Sequence, residues 1–260
     1  MKKRKISRQS GGNLRFQESA IILKKKIQGN FLYFTLKTKE IAKNSRPGQF
    51  INIRVTEDYV PFLRRPFSIS DVEGDLIKLL IQIKGRGTRL LSEKQEGESL
   101  NIIGPLGNSF PLNVKNPLIV AGGIGIAPFP FLARQFSDIT LLYGVKTKEL
   151  LPDLSIFPEN TKILLVSEDG STGKKGTVVD LLIEYGIENK TIFACGPNPL
   201  FKALNKIFFA CKNEVVAYYS LEAYMACGFG VCKGCSVDTS NGYRLVCKDG
   251  PVFFWNEVRL

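Results

Sequence analysis

The chain has 260 residues, 44% hydrophobic and 23% charged, with a formal net charge of +12 and no histidine. Those proportions exclude a disordered or fibrous chain and leave length for two modest domains and a small third module. The charge does not by itself point to nucleic acid: much of it lies in MKKRKISRQ and in Lys24, Lys25 and Lys26, with no aromatic-rich basic stripe.

Residues 1–16 read as a basic tail frayed from the fold, contact with an acidic partner face being the alternative. The tail lacks the apolar core of a signal peptide, since SRQSGGNLRF is polar. Residues 17–112 follow as short β-rich runs, FLYFTLKT, QFINIRVT, PFSIS and LIKLLIQIKG, divided by Gly, Pro and charged turns. Only RLLSEKQ reads as helix, so a small antiparallel β-barrel is expected. Within LRRPFSIS, Arg65 can neutralise a pyrophosphate, Phe67 after Pro66 can lie along a flat ring system, and Ser68 can hydrogen-bond its edge. In IKGRGTRLL, Ile83 and Lys84 lead to Gly87 and Thr88 at a turn before the helix, a second candidate phosphate cradle. Alone, both stretches read equally well as ordinary strand ends.

After GPLGNSFPL the pattern changes. Apolar runs PLIVA, ITLLYG, KILLVS, TIFA and VVAYYS alternate with the helix-like FPFLARQF, TVVDLLIEYG and NPLFKALNKIFFA. Residues 113–219 are therefore expected to form a Rossmann-like parallel sheet wrapped by helices. PLIVAGGIGIAPFPFLA is too broken by Gly and Pro to span a membrane and suits a buried strand, turn and helix. Its GGIGIAP places Gly123, Gly125 and Pro128 where a dinucleotide pyrophosphate can approach backbone amides, although a tight turn alone would look similar. Glu168 and Asp169 stand just beyond a later strand, where an acid accepts from a ribose 2′-hydroxyl and repels a 2′-phosphate. NAD is thus favoured, with Lys174 and Lys175 keeping NADP open. Cys195, Gly196 and Pro197 open CGPNPL at the ligand-binding edge of the same sheet, where a buried inert thiol is the competing reading.

Residues 220–260 hold CGFGVCKGC and, further on, RLVCKDG, so Cys227, Cys232, Cys235 and Cys247 are spaced C-x4-C-x2-C-x11-C. Zinc commonly takes two C-x2-C knuckles, and here there is one; the spacing is that of plant-type [2Fe–2S] ligation. Glycines 228, 230 and 234 let the chain bend around such a cluster. Six cysteines in a cytoplasmic chain stay reduced, and cytoplasmic placement is expected. A cluster exchanges single electrons and a nicotinamide transfers them in pairs, so a flavin is needed between them.

In order, RPFS, KGRGT, GPLGNSF, GGIGIAP, SEDGSTG and CGP resemble the ferredoxin–NADP reductase superfamily, a FAD barrel followed by a nicotinamide-nucleotide domain. MACGFGVCKGCSV and RLVCKDGPVF after them resemble the family of iron–sulfur electron-transfer subunits of NAD-dependent dihydroorotate dehydrogenases. The resemblance implies FAD at Arg65, Pro66, Phe67, Ser68, Gly87 and Thr88, a nicotinamide nucleotide at Gly123, Gly125 and Pro128, and a cluster on the four cysteines. It also implies a separate FMN-containing catalytic subunit in a heterotetramer with two of each, and Cys195 positioning the nicotinamide rather than attacking it. Superfamily members more often have Tyr where Phe67 stands, and plant-type members end on an aromatic that covers the flavin. Related ferredoxin–NADP oxidoreductase subunits use an aspartate among the cluster ligands, which the all-cysteine set here disfavours. Two other readings remain: a diaphorase subunit of a hydrogenase, sulfur-reducing or ferredoxin–NAD(P) complex, and a non-catalytic zinc and nucleotide module.

Overall fold

A computed structural model describes residues 15–211 and 215–260. Nearly all of the basic tail lies outside the described residues. The first strand is long, β1 (Phe16–Gln28), and is followed by β2 (Phe31–Lys37), α1 (Glu40–Asn44), β3 (Phe50–Ile53), β4 (Arg65–Ser68), β5 (Asp71–Glu73), β6 (Leu76–Gln82), α2 (Arg86–Glu93) and β7 (Ser99–Leu106). All seven strands pair antiparallel, in the order β4-β3-β7-β1-β2-β6-β5. The sheet curls around Ile22, Leu36, Ile51, Ile53, Ile77 and Leu100, which side-chain alternation points to one face.

Lys24, Lys25 and Lys26 do not belong to a frayed tail: they sit in β1 opposite β2, and the ladder slips between Ile22 and Lys24. Their polar side chains occupy the wetter end of a strand whose Ala20 and Ile22 are fully buried.

The second half runs β8 (Pro117–Gly122), α3 (Phe129–Ala133), β9 (Ile139–Val145), β10 (Thr161–Ser167), β11 (Lys174–Lys175), α4 (Val178–Tyr185), β12 (Thr191–Cys195), α5 (Asn198–Ala210) and β13 (Val216–Ser220). β14 (Ser236–Thr239) and β15 (Gly242–Leu245) form a hairpin, and β16 (Val252–Phe254) is the last strand. The second sheet is ordered β11-β10-β9-β8-β12-β13-β16 and is parallel except at β16. Thus the C-terminal segment carries the cysteines and also closes the nucleotide-type sheet. α4 begins on a reciprocal cap in which Thr177 Oγ1 accepts from the Asp180 amide at 3.2 Å and Asp180 Oδ2 accepts from Thr177 N at 2.8 Å.

Barrel and α/β sheet share one core: Phe31 and Leu80 from the barrel pack with Phe129, Ile139 and Phe193. Polar clamps flank it. Asp71, 3% exposed, accepts from Arg134 Nε at 2.9 Å, and Lys26 Nζ meets Asp153 Oδ2 at 2.8 Å. The cofactor-facing edges of the two halves are therefore held in a fixed relation.

Candidate functional site

Two cavities lie at the seam. The smaller, about 190 Å³, is lined by Pro66, Phe67 and Ser68 of β4, by Lys84 and Thr88, and by Cys195. Arg65 flanks it, its side chain lying over Gly87, where an added Cβ would come 3.1 Å from Arg65 Nε. Sequence-distant Arg65, Gly87 and Thr88 are thus brought to one place. Thr88 Oγ1 already accepts from the Lys84 and Gly85 amides at 3.0 and 3.1 Å, so its first role is to shape the turn. Ile83 packs against the barrel core and does not line the cavity.

The larger cavity, about 560 Å³, is lined by Gly123, Gly125, Gly196 and Pro197 at the carboxyl ends of β8 and β12 and by Glu168 beyond β10. The two glycines of the turn serve different ends. Gly123 has φ +54° and open space around it, a cradle that a phosphate can approach. At Gly125 an added Cβ would fall 2.6 Å from Gly196 Cα, so this glycine lets the turn pack on the end of β12. Pro128 is buried ahead of α3 and does not line the cavity.

Of the two acids, Glu168 faces the cavity. Asp169 instead accepts from Ser171 N and Oγ at 3.0 and 2.7 Å, which holds its carboxyl below the usual range, and it caps its own loop. Lys174 is paired with Glu184 at 2.6 Å, while Lys84 and Lys146 both line the cavity. Cys195 is 2% exposed; burial, reinforced by Glu222, pushes its thiol well above the ordinary value, so it is a neutral group at the cavity wall.

The cavities meet at Gln82, Lys84, Ile124 and Glu222, which line both. Glu222 was not legible in the sequence; its only signal is its place two residues beyond β13, at the ligand edge of the sheet. Surrounding protein pushes its carboxyl up while Lys84 pulls it down. By surface area Glu222 is exposed, but that surface is cavity wall, so the upward push grows when a ring system displaces water there.

The third site is the cysteine loop. Cys227 Sγ accepts from the amides of Phe229, Val231 and Cys232 at 3.5, 3.4 and 3.5 Å. Burial alone would raise this thiol; the three amides reverse that and hold it at about 6. Cys235 Sγ accepts from Cys247 N at 3.4 Å, and burial with the adjacent Cys235 pushes Cys247 up to about 12. Among the described residues no three His, Cys, Asp or Glu side chains converge on one metal position. The four cysteines fall into two linked pairs, Cys232 N donating to Cys227 Sγ and Cys247 N donating to Cys235 Sγ. Two thiolates per iron, with amides aimed at sulfur, fit a dinuclear cluster.

The iron–sulfur cluster binding domain of dihydroorotate dehydrogenase B matches residues 222–259. The chain is 36% identical over 257 residues to the dihydroorotate dehydrogenase B (NAD(+)) electron transfer subunit of Geobacillus sp. strain WCH70, covering 94% of this chain and 98% of that one. It belongs to the family of dihydroorotate dehydrogenase B electron transfer subunits. The member from Caldanaerobacter subterraneus subsp. tengcongensis is 40% identical over 224 residues, 84% of this chain and 88% of its own. Among solved structures, the NADH-dependent reduced ferredoxin–NADP oxidoreductase superposes with TM-score 0.82 at 30% identity, over 92% of this chain and 89% of that one. A ferredoxin–NADP+ reductase from Neisseria gonorrhoeae shares the fold, with TM-score 0.63 at 18% identity over 79% and 99% of the two chains. The family thus accounts for both sheets and for the cysteine loop appended to them. No helix among the described residues is long and apolar enough to cross a membrane.

Proposed function

We propose that this chain is the electron-transfer subunit of an NAD-linked dihydroorotate dehydrogenase, holding FAD in the barrel cavity, NAD in the larger one and a [2Fe–2S] cluster on Cys227, Cys232, Cys235 and Cys247. The observation that carries this reading is the junction: the two cavities share four wall residues, so two ring systems can meet without an intervening layer of protein. When bound, the flavin exchanges electron pairs with the nicotinamide and single electrons with the cluster. The chain's own part is placement. Arg65 with the Gly87 turn takes the flavin pyrophosphate, and Phe67 and Ser68 take its ring. Gly123 admits the nucleotide pyrophosphate, Glu168 takes the ribose, and Glu222 at the junction orients the nicotinamide, with Cys195 meeting it from the flavin side.

No acid–base pair for dihydroorotate is assigned to this chain. That chemistry falls to an FMN-containing catalytic subunit, two of each chain making a heterotetramer. The surface around the cluster supports a docking partner: Cys232 is exposed, Val231 is 72% and Tyr224 99% exposed. Cytoplasmic placement is part of this reading, because cysteines that serve as cluster ligands stay reduced in that compartment.

Anaerobic titration of the purified chain with NADH, and separately with NADPH, followed by visible absorbance and low-temperature EPR, tests the reading. Flavin bleaching followed by a reduced [2Fe–2S] signal, with NADH preferred, is expected. An EPR-silent, flavin-free protein, or dihydroorotate oxidation by this chain alone, refutes it. The likeness to the NADH-dependent ferredoxin–NADP oxidoreductase favours a ferredoxin-linked diaphorase as the second reading. Identifying the catalytic subunit that co-purifies separates the two.

A further inference from the structure

We propose that Asn52 is a positioning residue that ties the flavin barrel to the cluster loop and sets the environment of the Cys227 corner of the cluster. Asn52 lies in β3, its backbone paired with Pro66 of the flavin-facing β4 on one side and with Ile103 of β7 on the other. Its side chain is 1% exposed and leaves the barrel towards the cysteines, where Nδ2 donates to the Cys227 carbonyl over 3.5 Å. The carbonyl can only accept, so it fixes which way the amide points. Gly228, at φ +77°, rests directly on that amide: a Cβ there would overlap Nδ2. A side chain at 228 would therefore push the loop off the barrel, and this glycine is required by Asn52 as much as by its backbone conformation.

The other end of the amide adds to the case. Asn52 Oδ1 is buried with no hydrogen-bond partner among the described residues. A leucine of similar size would fill the space without leaving an acceptor unpaired. A group kept only for packing would thus be apolar, and what the amide supplies is a donor to the Cys227–Gly228 peptide. That peptide leads into the amides of Phe229, Val231 and Cys232, the three that point at Cys227 Sγ. N–H donors to a ligand sulfur favour the more negative, reduced state of a cluster, so a loosened peptide makes the cluster harder to reduce. The Nδ2 hydrogen bond runs to the cluster loop, so the effect is expected at the cluster rather than at the flavin.

The inference rests on the four cysteines holding the cluster, and the test separates the two. Full-length wild type, Asn52→Leu and Asn52→Thr are purified anaerobically and titrated potentiometrically, with the cluster read by EPR and the flavin by visible absorbance in the same samples. Asn52→Leu should disfavour cluster reduction by about 2- to 10-fold, the range for one neutral hydrogen bond. At 59 mV per tenfold that is roughly 20 to 60 mV downwards. The flavin potential should not move, and Asn52→Thr, which keeps a hydroxyl donor, should fall between. A wild-type cluster potential and EPR line shape in folded Asn52→Leu overturns the proposal. Should Asn52→Leu retain FAD but lose iron, Asn52→Thr decides: a lowered potential supports the role and a wild-type one overturns it. A wild-type chain without iron would instead sink the cysteine assignment.

Discussion

Replacing Gly125 by alanine puts one methyl group where the structure has none to spare. The new Cβ would stand 2.5 Å from the Cys195 carbonyl carbon and 2.6 Å from Gly196 Cα, both backbone atoms at the end of β12. β12 is held on both sides, by β8 and β13, so it cannot give as a flexible side chain would. Overpacking costs about 1–3 kcal/mol, and a clash between two backbones belongs at the upper end, about 3 kcal/mol. For a chain of this size that is roughly 6–12 °C in Tm. Gly123→Ala is the control: its φ of +54° costs about 1 kcal/mol in strain, but nothing lies within 4 Å of the new methyl. Thermal unfolding of the FAD-loaded proteins by circular dichroism, with NADH KM measured in parallel, separates the two. Gly125→Ala should lose the larger share of stability; Gly123→Ala, with its methyl in the cavity, should raise KM at a small cost in Tm. A Gly125→Ala protein within about 2 °C of wild type, or a reversed order of the two, would refute the assignment of Gly125 to backbone packing.

Glu168→Ala should relax the preference for NADH, because a 2′-phosphate no longer meets a carboxylate; removing about 1–2 kcal/mol of repulsion is worth roughly 5- to 30-fold in relative kcat/KM for NADPH. Unchanged discrimination would show that another acid carries that role, with the adjacent Asp169 the first to examine. Cys232→Ser should purify without the cluster absorbance but with FAD still reducible by NADH, since the exposed Cys232 lies outside the barrel core; concurrent loss of flavin would show that loop and barrel fold as one unit. Asp153 is held down to about 2, first by the hydrogen bond from Lys26 and then by Ser155. Its folded value lies below its ordinary 3.8, so its contribution is complete above that pH and is lost as pH falls through about 2. The Tm gap between wild type and Asp153→Asn should therefore be wide near neutrality and close in acid. At the alkaline end it should close again as Lys26, raised above 10.5 by Asp153, loses its proton. A gap independent of pH would exclude the ion pair as its source.

The local grammar of the chain was enough to place much of this protein. Val- and Ile-rich runs alternating with helical periods gave the parallel strands β8, β9, β10, β12 and β13, because a strand buried on both faces must be apolar throughout. The C-x4-C-x2-C-x11-C spacing singled out four sulfurs from one short segment, since ligands close in sequence need little tertiary help to meet. β1 and β7 escaped notice: β1 exposes Ile21 and Leu23 and carries three lysines in a row, and β7 is polar only at Ser99 and Asn101, so neither shows a clean alternation. Tertiary structure alone decided which of two adjacent acids faces the cavity, because hydrogen bonding within the 169–171 loop turns Asp169 away and leaves Glu168 at the wall. It alone brought Glu222 to the junction of the two cavities and Asn52 beneath the cysteine loop, 175 residues from Cys227 in the chain. Such meetings are set by how the sheets stack, and sheet stacking is fixed by the shared core of Phe31, Leu80, Phe129 and Phe193, which no local pattern encodes.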